Sequence, residues 1–138
     1  MRSTRLLVAA LLLGAALTGC GGPQQLKTRG RVLKGGAPFL PGQGEFVRVT
    51  FVPVLPPGQR VEDYYVAEYD NAAGTFQVAG KDRKAMPPGK YRVAIELDRH
   101  RSDQLRGKFD AEKSPFVYDV DGATGEIVID LDSPPTKN

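Results

Sequence analysis

The sequence predicts an all-β protein, an antiparallel sandwich of seven short strands. Three observations predict it. Apolar residues recur at every second position in brief runs, the period at which a strand turns one face to a core. Clusters of Gly, Pro, Asp and Asn punctuate those runs; Gly supplies positive φ and Pro fixes φ, as turns require. The 138 residues are 41% hydrophobic and 25% charged. That balance suits one globular domain and excludes a disordered, collagen-like or multi-span membrane chain.

The first strand falls at 27–33, where Gly30 tolerates a bend or a close backbone approach. In 46–52, Val47, Val49 and Phe51 share one face and Arg48 and Thr50 the other. Pro53 closes that run because it cannot donate to a sheet ladder. Strands follow at 64–69 and 75–78, then at 90–96, where the alternation is clearest: Tyr91, Val93 and Ile95 point inward, Lys90, Arg92 and Glu96 outward. Strands at 116–120 and 126–131 complete the set, the last with Ile127, Ile129 and Leu131 inward. Turns fall at Pro56-Pro57-Gly58, at 70–74, at Pro87-Pro88-Gly89 and at 121–125.

Residues 1–19 read as an export signal, with Arg2 and Arg5 ahead of an apolar stretch over 6–17. As a helix that stretch extends only about 18 Å, short of the roughly 30 Å a permanent span must cross. Leu17-Thr18-Gly19-Cys20 resembles the lipobox of bacterial lipoproteins, which implies cleavage before Cys20 and attachment of lipid to its thiol. Two acyl chains suffice for stable anchoring without a spanning helix. The expected division is signal peptide 1–19, lipidated Cys20 and tether 20–26, β-sandwich domain 27–132 and disordered tail 133–138. The expected location is the bacterial cell envelope, lipid-anchored on the periplasmic face of the outer membrane. Gly21 stands where, by the same resemblance, an Asp favours inner-membrane retention.

Removing Arg2 and Arg5 from the 19 basic residues leaves 17 against 16 acidic ones, a formal +1. With signs interspersed, the electrostatic footprint of a nucleic-acid binder is lacking, and no nucleic-acid partner is expected. The single Cys excludes an internal disulfide and a cysteine-rich zinc site. His100, the only histidine, sits between Arg99 and Arg101 with no second His or Cys to complete a metal site or a Cys-His pair. No cofactor is expected. Asp119, Asp121 and Asp130 are a weak calcium candidate: Asp119-Val120-Asp121-Gly122 echoes the start of a calcium loop, but Asp130 takes the twelfth position where that loop has Glu. The plainer reading makes these acids turn formers and guards of a sheet edge.

The long charged connection 97–114 is the place to look for a binding surface, because long loops within compact domains are often functional. Leu105 and Phe109 are four residues apart, so one helical turn would bring them together. They either present a ligand surface, with His100, or cap an open end of the sandwich. Tyr64, Tyr65, Tyr69, Phe76 and Tyr118 are read as an aromatic platform or as core. Adjacent Tyr64 and Tyr65 must point to opposite faces, and Tyr65 joins His100, Leu105 and Phe109 as the candidate ligand surface. Glu62, Asp63, Glu68 and Glu96 form no acid–base pair that sequence can place.

Gly30-Arg31-Val32, Gly35-Gly36-Ala37-Pro38 and Val47-Arg48-Val49-Thr50-Phe51-Val52-Pro53 resemble the opening of transthyretin-like, carboxypeptidase regulatory-like domains. The likeness continues through 70–76 and Pro87-Pro88-Gly89-Lys90-Tyr91-Arg92-Val93, with an extra loop at 39–44. Lys113-Ser114-Pro115 adds a likeness to small bacterial lipoproteins of this type. The resemblance implies a seven-stranded Greek-key β-sandwich that is an accessory or binding module. Hydroxyisourate hydrolases share that fold, but their several His residues and C-terminal Tyr-Arg-Gly-Ser are missing here. The expected function is that of a lipid-anchored, non-catalytic binding or structural module for an envelope protein or glycan. An envelope hydrolase using carboxylates near 97–114 is the alternative, and assembly through an exposed strand edge a third reading.

Overall fold

The computed structural model describes residues 25–78 and 85–135. The signal segment, Cys20 and the last three residues of the expected tail lie outside them. In chain order the strands are β1 Arg29–Lys34, β2 Ala37–Pro38, β3 Glu45–Pro53, β4 Tyr65–Asp70, β5 Thr75–Val78, β6 Gly89–Arg99, β7 Ser102–Asp103, β8 Val117–Val120 and β9 Ile127–Asp130. The described residues hold no helix. All seven expected strands form; β2 and β7 are two-residue additions at the ends of β1 and β6.

The spine is the pairing of β3 with β6, antiparallel from Glu45 opposite Arg99 to Pro53 opposite Tyr91. β4 and β5 add to the far side of β3, and β1 adds to β5, so the sheet runs β9-β1-β5-β4-β3-β6-β8. One pair departs from the antiparallel expectation: β9 runs parallel to β1, with Gly30 opposite Ile127 and Leu33 opposite Asp130. Parity explains it. Five successive antiparallel pairings lead from β1 to β8, which therefore runs opposite to β1, and the short turn after β8 reverses the chain once more. The curled sheet brings its two ends together, and the Tyr118 hydroxyl donates across the gap to the Val128 carbonyl at 3.3 Å.

The core lies inside the curl. Val47, Val49 and Phe51 of β3 and Tyr91, Val93 and Ile95 of β6 are buried, as are Ile127, Ile129 and Leu131. Phe51 is fully enclosed, its ring centroid 5.9 Å from that of Phe76 and 6.2 Å from that of Tyr91. Such tilted and edge-on pairs contribute about 0.5–1.5 kcal/mol each beyond their buried area. Gly30 sits where β1 meets β9, and a Cβ there would overlap the Ile127 carbonyl oxygen and the Phe76 ring. The β4–β5 hairpin turns at Gly74, whose φ of 70° suits glycine. Asp70 Oδ1 accepts from the amides of Ala72 and Ala73 to hold that turn.

At the N-terminal boundary, Leu26 exchanges two backbone hydrogen bonds with Met86, at 2.8 and 3.1 Å, and packs against the core. The folded unit thus takes in Leu26, which the sequence assigned to the tether.

Candidate functional site

The segment 97–114 is not the structureless loop its composition suggests. β6 continues to Arg99, and His100 and Arg101, with φ of 54° and 64°, form the two-residue turn into β7. Both adopt the left-handed conformation that favours glycine or asparagine, at roughly 1–2 kcal/mol per residue. Asp103 then organises the chain: Oδ1 accepts from the amides of Leu97 (3.0 Å) and Leu105 (2.9 Å), and Oδ2 from that of Gly107 (2.7 Å). Arg106 and Gly107 follow at positive φ, which rules out the expected helical turn between Leu105 and Phe109.

Beyond it, the amides of Ile95 and Val93 donate to the carbonyls of Phe109 (2.9 Å) and Phe116 (2.8 Å). The segment therefore runs along the edge of β6 between β7 and β8 and covers backbone groups that would otherwise be an open sheet edge. Phe109 is 2% exposed, its ring centroid 5.4 Å from that of Phe116 at a tilt of 39°. It is a core residue, which corrects its assignment to a ligand surface. Leu105 is half-buried against the same core, and His100 is exposed at the turn. Asp110 accepts from the Glu112 and Lys113 amides and from Lys113 Nζ. Those bonds, the Lys113 ammonium first, hold its carboxyl below the usual carboxylate range. Asp103 and Asp110 are thus each bonded to backbone amides of the segment they shape.

Neither the aromatic platform nor the calcium set assembles. Phe76 is in the core; Tyr69 and Tyr118 are half-buried, their hydroxyls donating to the Phe39 and Val128 carbonyls. Among the described residues no three His, Cys, Asp or Glu side chains converge as a metal site. Asp130 accepts instead from the amides of Gly35, Gly36 and Asp132. Asp121 holds the turn before β9 through Ala123 and Thr124, and Asp119 lies 4.0 Å from the Lys90 ammonium. Asp121 and Asp130 perform the turn-forming role read from their positions; the Asp119 carboxylate bonds to no turn amide among the described residues.

Tyr65 lies in a different site from His100: its ring meets that of Tyr91 near the start of β6, whereas His100 follows the strand's other end and Phe109 is bonded midway, at Ile95. A groove of about 620 Å³ opens at the Pro53 end of the sheet, between the 54–64 connection and the Pro87-Pro88-Gly89 turn. Its walls bring together Pro53, Leu55, Tyr65, Pro87, Pro88 and Tyr91, with Arg60, Glu62, Asp63 and Lys90 at the charged margin. The two tyrosine rings meet edge to face, 5.9 Å apart at 83°. Tyr91 is fixed by donating its hydroxyl proton to the Pro87 carbonyl at 2.7 Å, and burial, then the neighbouring Tyr65, pushes its phenol up to about 12. Val54 N donates to the Lys90 carbonyl at 2.8 Å and holds the two walls together. An apolar floor with a few convergent polar groups is the usual character of a ligand site. Sequence reasoning found Tyr65 and rightly placed Tyr91 in the core; that the Tyr91 ring also backs the groove was signalled only by the second Pro-Pro-Gly turn, a counterpart to the first.

A second recess, of about 590 Å³, is lined by Arg29, Glu68, Tyr69, Asp70, Gln77 and Glu126 among others. Arg31 pairs with Glu126, and its guanidinium holds that carboxyl below the usual range. Tyr69 and Phe76, cross-strand partners on β4 and β5, both line the recess. No protein-family model, no curated protein and no solved structure matches this chain.

Proposed function

We propose that this chain is a lipid-anchored protein of the bacterial envelope, held through Cys20 on the periplasmic face of the outer membrane. There it acts as a non-catalytic binding or structural module for a protein or glycan. The observation that carries this reading is the groove. The half-buried Tyr65 ring, backed edge-on by the buried Tyr91, and three prolines offer an apolar floor for an extended segment or a sugar face, and a charged margin sets orientation. Asp103 and Asp110, bonded to backbone amides, weigh against a hydrolase that would use those two carboxylates. The spatial order β6-β3-β4-β5, three consecutive strands with the fourth beside the first, supports a Greek-key reading and the transthyretin-like resemblance.

The test is titration of the purified protein with extended peptides and envelope glycan fragments, followed by amide chemical shifts. Perturbations are expected at Leu55, Gln59, Tyr65 and Tyr91. Tyr65→Ala weakens binding about tenfold or more, equivalent to roughly 1.4 kcal/mol. Turnover of a peptide, ester or glycoside that a single carboxylate substitution abolishes would overturn the reading. Mass spectrometry of Cys20 tests the anchor separately.

A further inference from the structure

Every residue of the 54–64 connection is exposed, yet four are large and apolar: Val54 at 39%, Leu55 at 38%, Val61 at 45% and Tyr64 at 62%. Isolated apolar side chains on a surface need no explanation, but four in one exposed connection mark a contact site. The same end of the fold is where the described chain begins. Leu26 is bonded to Met86, next to the Pro87-Pro88 wall of the groove that the loop itself borders. From Cys20 to Leu26 the chain can reach at most about 22 Å even when fully extended.

We infer that this loop seats its apolar side chains in the interface of the lipid bilayer that holds the anchor, so that the groove opens toward the membrane surface. The inference rests on the lipid attachment proposed above and deepens it by fixing the orientation of the domain. A lipid on Cys20 keeps the Leu26 end nearest the headgroups, while β3 carries Phe46 and the chain beyond it about 26 Å away at the strand rise. The charges around the loop are mixed, Lys27, Arg60 and Lys90 against Glu62 and Asp63. Apolar insertion rather than attraction to anionic lipid therefore dominates the contact.

The chain contains no Trp, so a single introduced indole reports its own surroundings. The lipidated full-length protein is reconstituted into phosphatidylcholine vesicles carrying nitroxide-labelled lipid, as Tyr64→Trp and, for the opposite end, Phe46→Trp. Tyr64→Trp is expected to be quenched about twofold or more beyond Phe46→Trp, with a blue-shifted emission. The difference persists at about 0.5 M salt, where screening removes surface electrostatics. Adding Leu55→Glu and Val61→Glu abolishes it without lowering the melting temperature. Equal quenching at both ends, or none, in protein whose Cys20 carries lipid by mass spectrometry overturns the orientation and leaves the anchor standing. Quenching that vanishes in salt also overturns it. An unlipidated Cys20 removes the anchor and the inference together.

Discussion

Tyr91 ties its hydroxyl to Pro87 while its ring packs edge-on against Phe51 and Tyr65, so one side chain serves both core and groove. Burial pushes its phenol up to about 12, and burial followed by Asp70 does the same to Tyr69. Each folded value lies above the ~10 of an unfolded tyrosine. The stability these groups contribute is therefore fully present below about pH 10 and lost as pH rises from there toward 12. Tyrosinate absorbance is expected to show these residues ionising together with unfolding. Tyr91→Phe lowers stability near pH 7 by about 1 kcal/mol through the lost hydrogen bond and makes the alkaline loss shallower. An unchanged alkaline slope would contradict this assignment. Glu126 and Asp110 work in the opposite direction: their lowered values give stability that is present above about pH 4–4.5 and lost on acidification.

Strands were legible because alternation is local: Val47, Val49 and Phe51, or Tyr91, Val93 and Ile95, declare their face within seven residues. The element that sequence misjudged is 97–114, whose order depends on one carboxylate reaching three amides. Spacing of Leu105 and Phe109 suggested a helical turn, but nothing in that spacing reveals that Arg106 and Gly107 adopt positive φ or that Asp103 bonds back to Leu97. Asp103→Asn keeps the shape and exchanges an acceptor oxygen for an amide donor, so at least one of the three amides loses its partner. Denaturant unfolding should show a loss of about 2 kcal/mol, in the range for hydrogen bonds to a charged group. Asp98→Asn, which weakens a partly exposed pair with Arg48 at 3.8 Å, should cost less than about 1 kcal/mol. Comparable losses for the two variants would mean that Asp103 is not the organising group.

Across the whole molecule, the feature least visible in sequence was the meeting of β1 with β9, because no local pattern encodes a pairing nearly a hundred residues apart. Gly30 was legible as a site of close approach, but not what approached it. The groove was half legible for the same reason: Tyr65 and Tyr91 belong to strands that become neighbours in the groove only once the sheet has folded. The closure also distributes stability unevenly. β3 and β6 are paired along their lengths, whereas β8 and β9 each pair on one side and meet through the Tyr118 hydroxyl. Local opening should therefore begin at that gap, since elements with fewer partners open below the global free energy. Native-state hydrogen exchange is expected to protect amides of Val49, Phe51 and Val93 most and those of Val117 and Val128 least. Tyr118→Phe removes the bridging hydrogen bond at a cost of about 1 kcal/mol or less. It speeds exchange across 117–120 and 127–130 more than in the centre of β3. Uniform acceleration throughout the sheet would instead show that the curled sheet opens as one unit and that the gap is no weaker than the spine.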